Sequence, residues 1–265
     1  VLYVLAIAVA IVMLTPVVWM ISGSLKTGGE VVSAQPTLLP SDPQWRNYGD
    51  LFSLVPFARY ILNSFVVSAT VTIVALLFHS MAGYSLARLR YPGRRLIFLA
   101  ILATMMVPAA VILIPLFTIV RTFGWIDSYQ ALIIPAIPHA FGIFLFRQFY
   151  LSVPQDLSDA AVVDGAGYVR IYRHVMLPLS RPIVAALGIF FFLANWNSFL
   201  WPLVATQSDE MRVIQLGIQA FLGAHANQYQ LVMTAATVAA APTLLMFIVL
   251  QRRLVQGIKT TGLKG

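Results

Sequence analysis

The sequence predicts an all-α integral membrane protein with six transmembrane helices and both termini in the cytoplasm. Three observations carry this: an apolar composition, six apolar segments of spanning length, and basic residues concentrated in alternate connectors. Of 265 residues, 60% are hydrophobic and 10% charged, whereas soluble domains run near 45–50% apolar and about 25% charged. A chain of this size must show water a polar exterior, so that surplus of apolar surface belongs in a bilayer.

A spanning helix needs about 20 mostly apolar residues, each rising about 1.5 Å across roughly 30 Å of hydrocarbon. Segments at 2–22, 60–82, 96–119, 130–150, 182–205 and 231–251 meet that requirement. None holds an unambiguous mid-span acid or base, a residue that ion-coupled carriers often use. The chain starts at Val1, and a short preceding arm is expected. The apolar run to Ile21 exceeds a signal-peptide core of roughly 7–15 residues, so it reads as a first span. The whole of 1–265 is expected to form a single permease domain.

Charge sets the orientation. One set of connectors carries Arg88, Arg90, Arg94, Arg95, Arg147, Arg170, Arg173, Arg181, Arg252, Arg253, Lys259 and Lys264; the other carries Lys26, Arg46, Arg59, Arg121 and Arg212. Twelve against five places the first set inside. The formal charge of +8 is thereby explained without nucleic acid as a partner. Cysteine is absent, which excludes disulfides and thiolate chemistry, and the scattered histidines suggest no metal.

Prolines 16, 108, 115, 135, 138 and 242 fall within the spans. Each removes a backbone donor and kinks a helix; the pair Pro135 and Pro138 beside His139 stands out. The outer connector 23–57 is expected to include a short surface helix, and 206–229 reads as a polar loop.

The connector 152–180 carries the strongest signal. Pro154 and Asp156 suit a helix start. Leu157, Ala160 and Ala161 share an i, i+3, i+4 face, and Gly165 supplies a stop. A second amphipathic turn follows, with Tyr168, Ile171, Tyr172 and Val175 on one side, until Pro178 breaks it. A helix lying on lipid would prefer bulky apolar residues and flanking lysines. The alanine-lined face suits docking to another protein.

The run Asp159-Ala160-Ala161-Val-Val-Asp164-Gly165-Ala166, with Tyr172 and Leu177-Pro178 after it, resembles the EAA loop of binding-protein-dependent ABC importer permeases. Further stretches resemble the carbohydrate, maltose-type branch: Tyr91-Pro92-Gly93, Asn195-Trp196-Asn197-Ser198-Phe199-Leu200-Trp201-Pro202, and the tail Gln251-Arg252-Arg253 through Gly257 to Gly262-Leu263-Lys264-Gly265. Asp159 stands where glutamate is usual, with a shorter reach, and Tyr172 where phenylalanine is commoner.

The resemblance implies a type I importer permease. It implies a homologous second permease, an external solute-binding protein that delivers a sugar or sugar-like solute, and a cytoplasmic ATPase dimer that binds ATP and Mg²⁺. This chain would bind no cofactor. It implies that Asp159, Ala160, Ala161, Asp164, Gly165, Ala166 and Tyr172 couple to that ATPase. Consistent with a subunit that hydrolyses nothing, there is no Gly-Lys dipeptide and hence no P-loop, no His-Glu-x-x-His and no Gly-x-Ser-x-Gly.

For the substrate path, Asn195, Trp196, Asn197 and Trp201 offer amides and aromatic faces within two turns of the fifth span. Sugar hydroxyls pair with amides, and sugar rings pack on aromatics. Asparagine also serves as glue between helices, and Trp201 also suits an outer aromatic belt. His139, near the middle of the fourth span, is a further candidate for either role. Within the resembled branch a glycerol-phosphate-type permease, or one for an amino sugar, stays open as the alternative; an ATPase-independent channel or carrier and an intramembrane enzyme are the rival classes.

Overall fold

In a computed structural model, residues 2–224 and 227–261 are described, 249–261 as backbone only. They are helical throughout, with short connectors. Three helices are long and apolar enough to cross a bilayer, Leu2–Ser24, Phe57–Arg88 and Tyr229–Ile248, and three bent helix pairs bring the total to as many as six. The protein is thus an all-α membrane protein with three clear spans. His225 and the last four residues of the tail motif lie outside the described residues.

Three expected spans are not single helices. The segment 96–119 is split into Arg94–Thr104 and Ala109–Thr122, bent by 99°. The break runs through Met105 to Pro108, because proline biases the residue before it away from the helical region and offers no N–H. At 1.5 Å per residue the pieces are about 16 and 21 Å long, each short of the hydrocarbon thickness. The segment 130–150 bends by 40° between Tyr129–Ala136 and Ala140–Ser152, at Ile137, Pro138 and His139. The segment 182–205 ends as a helix at Trp196 and resumes as Leu200–Ala205.

The chain divides into two compact units. One comprises Val1–Ser64 and Ser208–Val249, the other Phe65–Gln207 and Leu250–Gly265.

In the first unit, 206–229 is not a simple polar loop. It contains the helix Ile214–Ala224, which buries Ile214, Leu216, Gly217 and Phe221. Ser64 Oγ accepts from the Ile214 backbone N–H at 2.7 Å, satisfying one of the donors that a helix start leaves open. Asn63 Nδ2 donates to the carbonyls of Glu210 and Arg212 at 2.7 and 2.8 Å. Gly217 fits against Tyr60, whose ring carbon would lie 2.2 Å from an added Cβ. The connector 23–57 holds two helices, Gly28–Val31 and Arg46–Leu54. Beneath them Lys26 is buried, with its ammonium 4.7 Å from the Trp19 ring centroid and donating to the Thr37 carbonyl. The helix Leu2–Ser24 differs from the rest: every residue from Leu2 to Pro16 is exposed.

In the second unit, a cluster of Ala75, Tyr84, Phe146, Tyr150, Met176 and Phe191 forms the core. Gly83 lets Phe57–Arg88 approach Ala140–Ser152 closely: a Cβ there would sit 2.6 Å from Phe146 Cβ and 2.8 Å from the Arg147 backbone nitrogen. Backbone cannot step aside as a flexible side chain can. Gly83→Val is therefore expected to destabilise the unit by about 1–3 kcal/mol or more, read as a lowered Tm of the purified protein. An unchanged Tm would show that the two helices separate without cost.

Candidate functional site

The helix of the expected docking connector forms over Asp156–Val163, with Asp156 and Asp159 in its first turn, where the helix dipole favours carboxylates. Its end is a Schellman stop. Gly165 adopts φ 76°, its N–H donates to the Val162 carbonyl at 2.9 Å, and the Ala166 N–H reaches back to the Ala161 carbonyl at 2.9 Å. That pair of bonds is the signature of a helix closed by a left-handed residue. The Asp-Gly-Ala run is, physically, a helix stop.

The stop decides which alanine faces where. Ala161 and Ala166 pack together against the core of the second unit, whereas Ala160 is exposed. The expected shared face of Leu157, Ala160 and Ala161 is therefore divided, since neighbours on a helix are about 100° apart. The outward surface instead carries Leu157 and Asp159, then Val162 and Val163, with Asp164 and Gly165 also exposed; Val163 is 87% exposed and Val169, just beyond, 79%. These valines were not singled out from sequence. Their β-branched side chains read as helix-interior filler until burial is known.

The following segment also departs from expectation. Helix Tyr168–Ile171 passes into a π-helical turn, Tyr172–Met176, and then Leu177–Leu179. Pro178 does not break it. A proline ring collides with the carbonyl four residues back, here His174, which lies within the wide turn and leaves the ring room. The chain bends by 75° between Leu179 and Arg181 instead. Tyr168 is exposed, Ile171 buried and Tyr172 half-buried, so they do not form one face.

Five tyrosine and serine hydroxyls tie this connector down. Tyr172 and Ser80 share a hydrogen bond of 2.6 Å, and the Tyr172 ring lies 5.4 Å from that of Tyr84. Tyr84 donates to the Tyr168 carbonyl at 3.3 Å. Tyr150 donates to Ser180 Oγ at 3.3 Å. Arg88 completes the anchor, donating to the Tyr150 carbonyl at 2.9 and 2.6 Å and to the Val153 carbonyl. The connector is thus held at both ends to Phe57–Arg88. Arg88 had counted only as an orienting charge, and nothing in its local sequence signals its fork onto Ala140–Ser152.

The substrate-path candidates separate into two places. Asn195 Nδ2 donates to the Phe191 carbonyl at 2.8 Å and Asn197 Nδ2 to that of Leu193 at 2.9 Å, both within the last turn of their own helix. Trp196 is 1% exposed, stacked on Phe192 at 5.8 Å. Trp201, past the helix break, donates from Nε1 to the Ala131 carbonyl at 2.8 Å. His139 is exposed and its ring lies 5.6 Å from Phe191. His139 thus meets the Phe191 ring, whereas Asn195 meets only the Phe191 carbonyl one turn back in its own helix.

His79 is buried, with Nε2 3.0 Å from the Ile137 carbonyl oxygen and 3.1 Å from the His139 backbone nitrogen. Protonated, that nitrogen donates to Ile137; unprotonated, it accepts from His139. Either way one side chain serves the backbone exposed where the fourth span is broken. Gly142 makes room for it, since a Cβ there would meet His79 Nδ1 at 2.3 Å. His79→Leu is expected to fill the space yet leave that backbone unpartnered, costing about 1–3 kcal/mol in a chemical or thermal unfolding measurement. Among the described residues no group of three His, Cys, Asp or Glu could hold a metal ion.

Residues 79–260 match the family described as the binding-protein-dependent transport system inner membrane component. The chain is 34% identical over 255 residues to the arabinooligosaccharides transport system permease protein AraQ of Bacillus subtilis (strain 168), covering 95% of this chain and 91% of that one. It is 34% identical to the diacetylchitobiose uptake system permease protein NgcG of Streptomyces coelicolor, with coverage of 92% and 82%. It is 33% identical to the sn-glycerol-3-phosphate transport system permease protein UgpE of Pectobacterium atrosepticum, with coverage of 86% and 84%. A solved bacterial ABC transporter involved in the import of the acidic polysaccharide alginate contains a chain of the same fold, with a TM-score of 0.84, 25% identity and 94% of each chain covered. A helix stop that turns two alanines inward and a hydrophobic rim outward thus sits inside a match spanning most of the sequence, and the chain belongs to the family of binding-protein-dependent transport system inner membrane components: it is a multi-pass inner-membrane permease subunit of an ABC importer.

Proposed function

We propose that this chain is one half of a paired permease that conducts a neutral di- or oligosaccharide inward, coupled through Asp156–Val163 to a cytoplasmic ATPase dimer. The observation that carries the coupling role is the closed helix itself. Its stop is pinned to the core through Ala161 and Ala166, while Leu157, Val162 and Val163 remain uncovered. An uncovered apolar rim on a short, rigidly held helix suits a protein socket. Asp159, Ala160, Asp164 and Gly165 belong to that outward surface, and Tyr172 braces it from behind through Ser80. In this reading the six apolar segments are the six spans, broken where their helices break, and the twelve-against-five charge asymmetry supports a cytoplasmic connector and cytoplasmic termini. An external binding protein delivers the solute, a homologous second permease completes the path, and the whole of 1–265 acts as one permease domain.

The substrate class rests on the path residues. Asn195, Asn197, Trp201 and His139 present amides and rings, with no lysine or arginine among them, which suits uncharged hydroxyls. The named cargoes of the arabinooligosaccharide and diacetylchitobiose relatives point the same way. A glycerol-phosphate substrate, named for another relative, would call for cationic partners for its phosphate. With the complete transporter in liposomes, Asn195→Ala is expected to cut oligosaccharide uptake about tenfold while basal ATP hydrolysis persists. Uptake of glycerol phosphate in place of sugar, or uptake by this chain without any ATPase, would overturn the reading.

A further inference from the structure

A second charged region lies apart from both sites above. Arg94, Arg95 and Arg147 line a cavity of about 330 Å³ together with Leu86, Phe98 and Leu99, a volume within the range of small-molecule pockets. A neighbouring cleft shares Arg94, Arg95 and Leu99 and adds Tyr91, Gly93 and Leu96. Two elements build the first cavity. Arg94–Thr104 brings two arginines in its first turn with no acidic residue beside them, and Ala140–Ser152 brings the third. Arg147 lies over the Phe98 ring, its guanidinium carbon 3.9 Å from the centroid.

The three guanidinium groups are short of partners. Arg147 donates through Nε to the Leu86 carbonyl at 3.3 Å, and Arg94 through one Nη to that of Leu89 at 2.7 Å. Among the described residues the ion pairs are Arg46–Asp50 and Arg212–Asp209, so none of the three arginines meets a carboxylate. Each guanidinium carries five donors. Like charges gathered on one low-dielectric wall repel unless an anion lies between them.

We propose that this cavity binds the headgroup of an anionic phospholipid, with its phosphate between Arg94, Arg95 and Arg147 and its acyl chains along Leu96 and Leu99. The exposed leucines decide for a lipid over a free phosphate. Leu96 and Leu99 stand uncovered at the mouth, and a free anion would leave them so, whereas acyl chains cover them. Basic pockets between membrane helices take such headgroups by this combination of charge and apolar wall. The site needs no sugar and no ATPase contact, so its failure and that of the transport reading are separately visible.

The test uses the purified complete transporter, by native mass spectrometry and thermal unfolding, with phosphatidylglycerol, phosphatidylcholine of the same acyl chains, or inorganic phosphate added. Phosphatidylglycerol is expected to be retained and to raise Tm, the other two not. Arg95→Gln removes a side chain that makes no protein hydrogen bond among the described residues, so the fold is kept, and the affinity is expected to fall about fivefold. Arg95→Gln/Arg147→Gln is expected to fall further, and Arg121→Gln, at a different helix end, not to fall. Equal retention of both lipids, an Arg95→Gln protein that binds like the wild type, or stabilisation by inorganic phosphate alone would overturn the proposal.

Discussion

Gly165→Val is expected to abolish substrate-stimulated ATP hydrolysis in the reconstituted transporter while the protein still inserts in the membrane. The reason is conformational. Gly165 holds φ 76°, a region that costs an L-residue about 1–2 kcal/mol and a β-branched one more. A Cβ there meets nothing within 4 Å, so crowding plays no part. Valine relieves the strain by opening the two backbone bonds that close Asp156–Val163, and Ala166 then leaves its seat beside Ala161. Gly165→Asn separates backbone from chemistry, because asparagine tolerates the left-handed region and serves as a helix stop. It is expected to keep most of the coupling. Equal loss in both variants would assign Gly165 to direct contact with the ATPase, and full coupling in Gly165→Val would remove the stop from the mechanism.

Arg88→Leu is expected to have the next largest effect. Its guanidinium serves the carbonyls of Tyr150 and Val153 together, where Ala140–Ser152 ends and the connector begins. Hydrogen bonds to charged groups contribute about 1.5–3 kcal/mol, and leucine forfeits them while leaving both carbonyls without that donor. Lower thermal stability and weakened coupling should appear together. Arg88→Lys retains the charge but not the planar fork, so it should fall between the two. A stable Arg88→Leu protein with normal coupling would show that the connector is held adequately by Tyr84, Tyr150 and Tyr172.

Much of this was readable beforehand because it depends on length and local chemistry. Apolar runs of about 20 residues are forced into the bilayer wherever they occur, and a glycine after an acidic-led helix is a stop on local grounds. The remainder turns on partners distant in sequence. Pro108, Pro135 and Pro138 were visible as kinks, but whether a kink becomes a break depends on what receives the freed backbone; His79, some sixty residues away, receives part of it. Ala160 and Ala161 look equivalent until the core cluster of the second unit shows which side of the helix is covered. The helix Ile214–Ala224 escaped notice because Gly217 occupies a packed position that hydrophobic periodicity does not score, and Gln215 and Gln219 interrupt the pattern. Trp196 was read as an open ring for sugar; its stack on Phe192 needs only the i, i+4 spacing of one helix, a bland alternative that the spacing already contained.

The uncovered stretch from Leu2 to Pro16 has a practical consequence for biogenesis and purification. Among the described residues none later in the chain covers it, so the translocon can release it into lipid while the ribosome is still making the rest, insertion preceding helix–helix association. Once this chain is extracted on its own, that stretch depends on the detergent belt, and dilution of the micelle is expected to cause self-association there.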